Sequence, residues 1–339
     1  MIQLSYIIPA YNASAYIRHT LDSIFALPLT TDDYEIIVVD DSSTDDSIEV
    51  LHDIQQSHPN LTILQQETNQ RQGAARNRGI DMARGEYIAF CDADDMVVAE
   101  GVINALQSVE KSHADICYFD FEYEHPNGEW VRFEMPEATH NTIMSSDEYL
   151  NNYYTCYYNA PWRCLYKTDF LRRTGIRFEE GVRWEDCDWT VKVYANADKI
   201  QFVDGVGYRY AWNDAATSRQ ADAQAMAEQI KAGCRLVSFA KEIEHLLPGF
   251  SKTIFHEAKS RYVIQNIRLR NLTKYNVSNI ISIYKKVNAE EWKLLKTLHL
   301  PIWETLVVKH HLLTLIILGF ACPLAAIGRK MVALKRKIK

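Results

Sequence analysis

The chain of 339 residues, 47% hydrophobic and 24% charged, is long enough to bury a sizeable core and to hold two domains. Its formal net charge of -7 argues against a general nucleic-acid binder. Seven cysteines without a CxxC pair indicate neither a disulfide framework nor a zinc knuckle, so a reducing compartment fits best.

Leu4-Ser5-Tyr6-Ile7-Ile8 reads as a strand stopped by Pro9, with no basic segment before it, so a cleaved export signal is not expected. Tyr16, Ile17, Leu21, Ile24 and Phe25 then follow at helical spacing. A second apolar run, Glu35 to Val39, ends in Asp40 and Asp41, and the turn Ser42-Ser43-Thr44-Asp45 caps a helix carrying Ile48, Leu51 and Ile54. Leu61 to Leu64 is a short third strand and Gly73 to Arg84 a third helix, ended by Gly85. The fourth strand, Tyr87 to Cys91, runs straight into Asp92, Asp94 and Asp95.

Strand and helix alternating four times predict an α/β protein with a doubly wound parallel sheet and right-handed crossovers. No glycine fingerprint of the dinucleotide or P-loop type follows the first strand, so a nucleotide must be held another way. Both acidic strand ends should open at one sheet edge, where such folds bind ligands. Asp92 to Asp95 there suit a hard divalent cation, although an acidic start to the next helix is an equal reading of Asp95.

A helix from Ala99 to Lys111 precedes a strand from Asp115 to Glu124, a turn at Pro126-Asn127-Gly128 and the segment Trp130 to Met135. Ser145 to Glu148 resembles a capping box, and Trp162 to Tyr166 leads to a short helix over Thr168 to Gly175. Glu185-Asp186 lies between Trp184 and Trp189, which suits either a sugar pocket or a surface acid pair beside core tryptophans.

From about Ala221 only helices are expected, with apolar stripes at Met226, Ile230, Val237 and Leu247, then at Val263 and Ile267. Asn288 to Glu291 can cap a helix bearing Trp292, Leu295 and Leu298. The 16 residues Leu312 to Ile327, interrupted by Pro323, fall short of the roughly 20 that a spanning helix needs. Six Lys or Arg and no acid follow from Arg329 to Lys339, which suits a helix lying on anionic lipid; a buried helix with a solvated basic end is the other reading.

These motifs, in this order, resemble the inverting glycosyltransferases of family 2, which have the GT-A fold. The residues carrying the resemblance are Ile7 to Asn12, Val38 to Asp45, Gly73 to Gly79, Gly85 to Ile88, Asp92 to Asp95 and Glu185-Asp186. Ala160-Pro161-Trp162, Leu165-Tyr166-Lys167 and Tyr208-Arg209-Tyr210 resemble bacterial members that build surface polysaccharide and lipopolysaccharide.

The resemblance implies a Rossmann-like GT-A domain over residues 1–220; a helical extension over 221–300 and a membrane-associating tail over 301–339 lie outside the family core and are expected from their own apolar and basic pattern. It implies that Pro9, Ala10 and Tyr11 line the base site, and that Asp41 accepts a hydrogen bond from the uracil imide, which favours UDP-sugars. Asp92 would lie toward the ribose, Asp94 would bind Mn²⁺ or Mg²⁺, and Arg76 would lie near the nucleotide. Asp186 would be the catalytic base, ionised at neutral pH like an ordinary aspartate, with Glu185 orienting its loop and Trp184 or Trp162 stacking on a sugar. The partners it implies are a UDP-sugar and a saccharide acceptor; the apolar and basic tail points to an acceptor on lipid at the inner face of the membrane, and the net charge to no nucleic acid.

Two other functions compete. A phosphatase using Asp92-x-Asp94 expects that motif on an early strand with a small hydroxylated residue soon after, whereas Asp95-Met96-Val97 follows. A non-catalytic sugar-nucleotide binder or assembly subunit would keep the fold but has no need of a base.

Overall fold

The computed structural model describes residues 2–154, 160–213, 223–259 and 285–298. Strand β1 (Leu4–Ala10) is buried at every position, as a strand covered on both faces must be. It continues through Pro9 instead of stopping before it. Pairing with β4 (Tyr87–Phe90) ends at Ile7 and Phe90, so the missing N–H of Pro9 falls beyond that ladder.

Around β1 the expected α/β units appear: α1 (Ile17–Phe25), β2 (Tyr34–Asp40), α2 (Ser47–Gln55), β3 (Leu61–Gln65) and α3 (Arg71–Met82). Strands β2, β1 and β4 pair in parallel, so the chain leaves all of them at one edge. Helix α3 approaches β1 closely, and a Cβ added at Gly79 would lie 2.3 Å from Ile7 Cγ2.

After β4 come β5 (Met96–Val97), α4 (Ala99–Ser112), β6 (Ile116–Glu124), β7 (Trp130–Phe133), β8 (Ile143–Met144) and α5 (Ser146–Asn152). Then follow β9 (Cys164–Lys167), α6 (Thr168–Thr174), α7 (Asp186–Ala195) and β10 (Ile200–Tyr210). The strand order is β3-β2-β1-β4-β9-β6-β10-β5, with β7 on β6 and β8 on β10. Strand β9 is antiparallel to both β4 and β6, while β10 runs parallel to β6, so β6 and β10 also end at the edge where β4 ends. This is a mostly parallel sheet of the GT-A type.

The longest strand, β10, has no clean two-residue period in sequence. Gly205 (φ 108) and Gly207 interrupt it, and its pairing with β6 shifts register between Phe202 and Tyr208. Those glycines admit α4, since a Cβ on Gly101 would lie 2.5 Å from Gly207 N.

Beneath β4, Phe178 stacks on Trp189 at 4.1 Å and Phe90 meets the same indole edge-on at 5.7 Å. Trp189 is fully buried and lies one helical turn past Asp186, so this aromatic packing fixes where the start of α7 sits relative to β4.

The chain divides into two compact units, Met1–Ala216 and Thr217–Lys339. The second is helical where described: α8 (Ala223–Ile243), α9 (Pro248–Glu257) and a helix over Ala289–Leu295. The expected cap is present, with Asn288 Oδ1 accepting from Glu291 N at 2.9 Å and Glu291 Oε2 from Asn288 N at 2.7 Å. Val263, Ile267 and the apolar and basic tail lie outside the described residues. Among the described residues no helix is long and apolar enough to cross a membrane.

Candidate active site

The loop after β1 is stitched to the turn after β2. Asn12 N donates to Ser43 Oγ at 2.9 Å, Thr44 N to Asn12 Oδ1 at 2.8 Å, and Ala13 N to Ser47 Oγ at 2.8 Å. Pro9 and Ala10 are buried within β1, whereas Tyr11 at its end is 50% exposed and offers an aromatic face. Asp41 is 3% exposed, and its Oδ1 accepts from Gln66 Nε2 at 2.6 Å and Gln70 N at 2.7 Å. Burial raises its pKa, against the opposing pull of these hydrogen bonds.

Four of the six described non-glycine residues at positive φ lie around this edge, Asn12 (50), Ser42 (64) and Trp184 (61) on loops and Arg71 (66) at the start of α3. Strain of this kind concentrates at functional sites, held in place by the hydrogen bonds around it.

The three acids after β4 have separate surroundings. Asp95 is 1% exposed, with Tyr208 Oη donating to its Oδ2 at 2.6 Å and Ala211 N to its Oδ1 at 2.8 Å. Burial, then Asp92 and Asp94, raise its pKa well above the usual carboxylate range. The reading of Asp95 as a helix start or a cation ligand is therefore corrected: β5 separates it from α4 and its carboxyl points inward. Asp94 is partly exposed, and its Oδ2 accepts from Asn213 Nδ2 at 2.7 Å. Among the described residues no group of three or more ligating side chains converges. The partly exposed carboxylate of Asp94 is nevertheless the kind of donor that Mn²⁺ or Mg²⁺ takes, one or two carboxylates with phosphate and water completing the shell.

Arg76 joins this cluster to the second acid pair. It is 2% exposed; its Nη2 donates to Asp92 Oδ1 at 2.7 Å and its Nη1 to Glu185 Oε1 at 2.5 Å. Burial opposes its charge, but Asp92 and Glu185 outweigh burial and hold it protonated. Arg76, expected near the nucleotide, is a buried bridge between Asp92 and Glu185. The segment it reaches is pressed against α3: Gly181 N donates to Gln70 O at 2.9 Å, and a Cβ on Gly73 would lie 2.3 Å from Glu179 O.

Asp186 is the first residue of α7. Its pKa is pushed up to about 7, first by burial and then by Glu185, with Arg76 and its own backbone N–H acting against the rise. Burial thus gives Asp186 a higher proton affinity than an ordinary aspartate, because packed surroundings disfavour its charged form. Trp184, directly before Glu185, is partly exposed. Trp162 is 5% exposed and stacked on Tyr208 at 4.3 Å, so that indole belongs to the core. Arg209 pairs with Glu122 at 2.7 Å.

Sequence reasoning missed Tyr208, Asn213, Gln66 and Gln70 as supports of these acids. Tyr208 carried a signal in the Tyr208-Arg209-Tyr210 motif; the others carried none.

Residues 5–175 match the family model described as Glycosyl transferase family 2. An uncharacterized glycosyltransferase, YibD of Escherichia coli K12, is 27% identical over 221 residues, which is 64% of this chain and 63% of that protein. The poly(ribitol-phosphate) beta-N-acetylglucosaminyltransferase TarS of Staphylococcus aureus MW2 is 30% identical over 213 residues, 62% of this chain and 36% of that one. The match therefore spans less than two thirds of either relative. In fold, the chain is similar to the crystal structure of S. aureus TarS 1-349 in complex with UDP-GlcNAc, with a TM-score of 0.63 at 22% identity, covering 86% of this chain and 84% of that one.

Proposed function

This chain belongs to glycosyl transferase family 2, and from that premise we propose that it moves a sugar from a UDP-sugar to a saccharide acceptor, with inversion at the anomeric carbon, in bacterial surface-polysaccharide or lipopolysaccharide synthesis. The observation that carries this reading is the Arg76 bridge, which links the acids after β4 to the pair at the start of α7. A binder needs the first group alone; a transferase also needs a base facing it. The similar TarS structure, in complex with UDP-GlcNAc, supports UDP as the carrier.

In this reading Tyr11 offers its ring to the base, Asp41 meets the uracil imide and Asp92 lies toward the ribose. Asp94, beside Asp92, would hold Mn²⁺ or Mg²⁺, which when bound neutralises charge developing on the leaving diphosphate. Asp186 takes the proton of the acceptor hydroxyl as that oxygen attacks from the face opposite the diphosphate. A carboxyl pushed up to about 7 is a stronger base near neutral pH than an ordinary aspartate. Arg76 limits that rise and, through Glu185, fixes the start of α7. Residues 1–220 form the catalytic domain and 221–300 the helical extension. The basic composition of 301–339 supports attachment to the inner membrane face, beside a lipid-linked acceptor. Deleting 301–339 without changing the split between membrane and soluble fractions would sink that last element.

The test of function is release of UDP from a panel of nucleotide sugars by wild type and Asp94→Ala, with and without Mn²⁺ or Mg²⁺. Metal-dependent release from a UDP-sugar, lost in Asp94→Ala, is expected. No release from any donor, together with no measurable UDP binding, would overturn the reading in favour of a non-catalytic role.

A further inference from the structure

Beyond the acids, the ends of β6 and β10 and the start of β7 carry a group of aromatic and charged side chains that the donor site does not use. We propose that Trp130, Arg209 and Trp212 form the platform on which the accepting saccharide ring is held; this rests on the transferase reading above.

Position comes first. Strands β6 and β10 leave the sheet at the edge that carries Asp92 to Asp95. Ala211 N reaches Asp95 at 2.8 Å and Asn213 Nδ2 reaches Asp94 at 2.7 Å, so Trp212 sits between two residues that touch those acids. The residue is 37% exposed, and its backbone N–H is fixed by Glu124 Oε2 at 2.9 Å.

Chemistry comes second. Trp130 on β7 carries the Arg209 guanidinium 5.4 Å from its ring centroid, and Arg209 Nε is held by Glu122 Oε2 at 2.7 Å. Indole faces rimmed by carboxylates and a guanidinium match a sugar ring, whose C–H face is apolar and whose edge is hydroxylated. Glu122 and Glu124 against Arg209 disfavour an anionic ring, so the platform selects a neutral hexose or N-acetylhexosamine. Trp162 and Trp189, at 5% and 0% exposure, are core residues and offer no such face.

The test uses the full chain, with UDP and Mn²⁺ present, on an array of immobilised neutral oligosaccharides ending in hexose or N-acetylhexosamine. Calorimetry with UDP and a thermal midpoint are measured on the same samples. Wild type is expected to retain a subset of these saccharides. Trp212→Ala and Trp130→Ala should each lower retention about tenfold or more, at unchanged UDP affinity and thermal midpoint, and Trp212→Phe should keep most of it. Retention unchanged in both alanine variants overturns the platform, as does a wild type that binds UDP but retains no saccharide. A wild type that binds no UDP overturns the transferase reading and the platform with it.

Discussion

The turn after β2 and the start of α7 each bring an acid pair to the same side of the molecule, but by different means. Asp41 is gripped by Gln66 and Gln70, 25 and 29 residues away on the next α/β unit, through several amide hydrogen bonds. Glu185 is held by one guanidinium, that of Arg76, 109 residues away. The first pair rests on redundant neutral donors, whereas the second depends on a single buried charge. Substitutions should therefore act more gently at the first pair than at the second.

The largest expected effect is at α7. Asp186→Asn should lower sugar transfer by roughly 10²- to 10⁴-fold while UDP affinity, measured by calorimetry, stays near wild type. Arg76→Gln comes next: it leaves Glu185 and Asp92 facing each other without the buried cation, and denaturant unfolding should show a loss of about 3–5 kcal/mol. The same change removes the positive charge that lowers the Asp186 pKa, so the acidic limb of the pH–rate profile should move to higher pH. Gly73→Ala, which drives a Cβ against Glu179 O at 2.3 Å, should cost about 1–3 kcal/mol and displace the segment leading to Asp186. The smallest effect belongs to the first pair. Gln66→Ala removes one of several donors to Asp41 and should cost about 1 kcal/mol of stability in the same denaturant unfolding. A loss there as large as that in Arg76→Gln would erase the contrast.

The same contrast explains what the sequence revealed. Strands β1, β2 and β4 announce themselves through unbroken apolar runs, and their acids follow directly, so the edge bearing Asp40, Asp41, Asp92 and Asp94 was legible from local pattern. Strand β10 was hidden because its glycines serve the approach of α4, not the strand's own period. The inward turn of Asp95 depends on Tyr208, 113 residues away, and the hold on Asp94 depends on Asn213, 119 residues away. No window of sequence contains both partners. Trp162 and Trp184 look equivalent as letters, and only packing on Tyr208 assigns the former to the core. The proton affinity of Asp186 was hidden for a related reason, since the charges acting on it include Arg76 on α3 and Asp92 after β4.

In the proposed reaction Asp186 is the base, and its surroundings set its proton affinity. The most direct measurement is UDP release by wild type as a function of pH, from about 5 to about 9, under saturating donor and metal. A base acts only when deprotonated, so the rate should rise with pH and level off above about 7, with Glu185→Gln moving the limb to lower pH by removing a neighbouring negative charge. A rate already flat from about pH 5 upward, or a limb unmoved in Glu185→Gln, would contradict it.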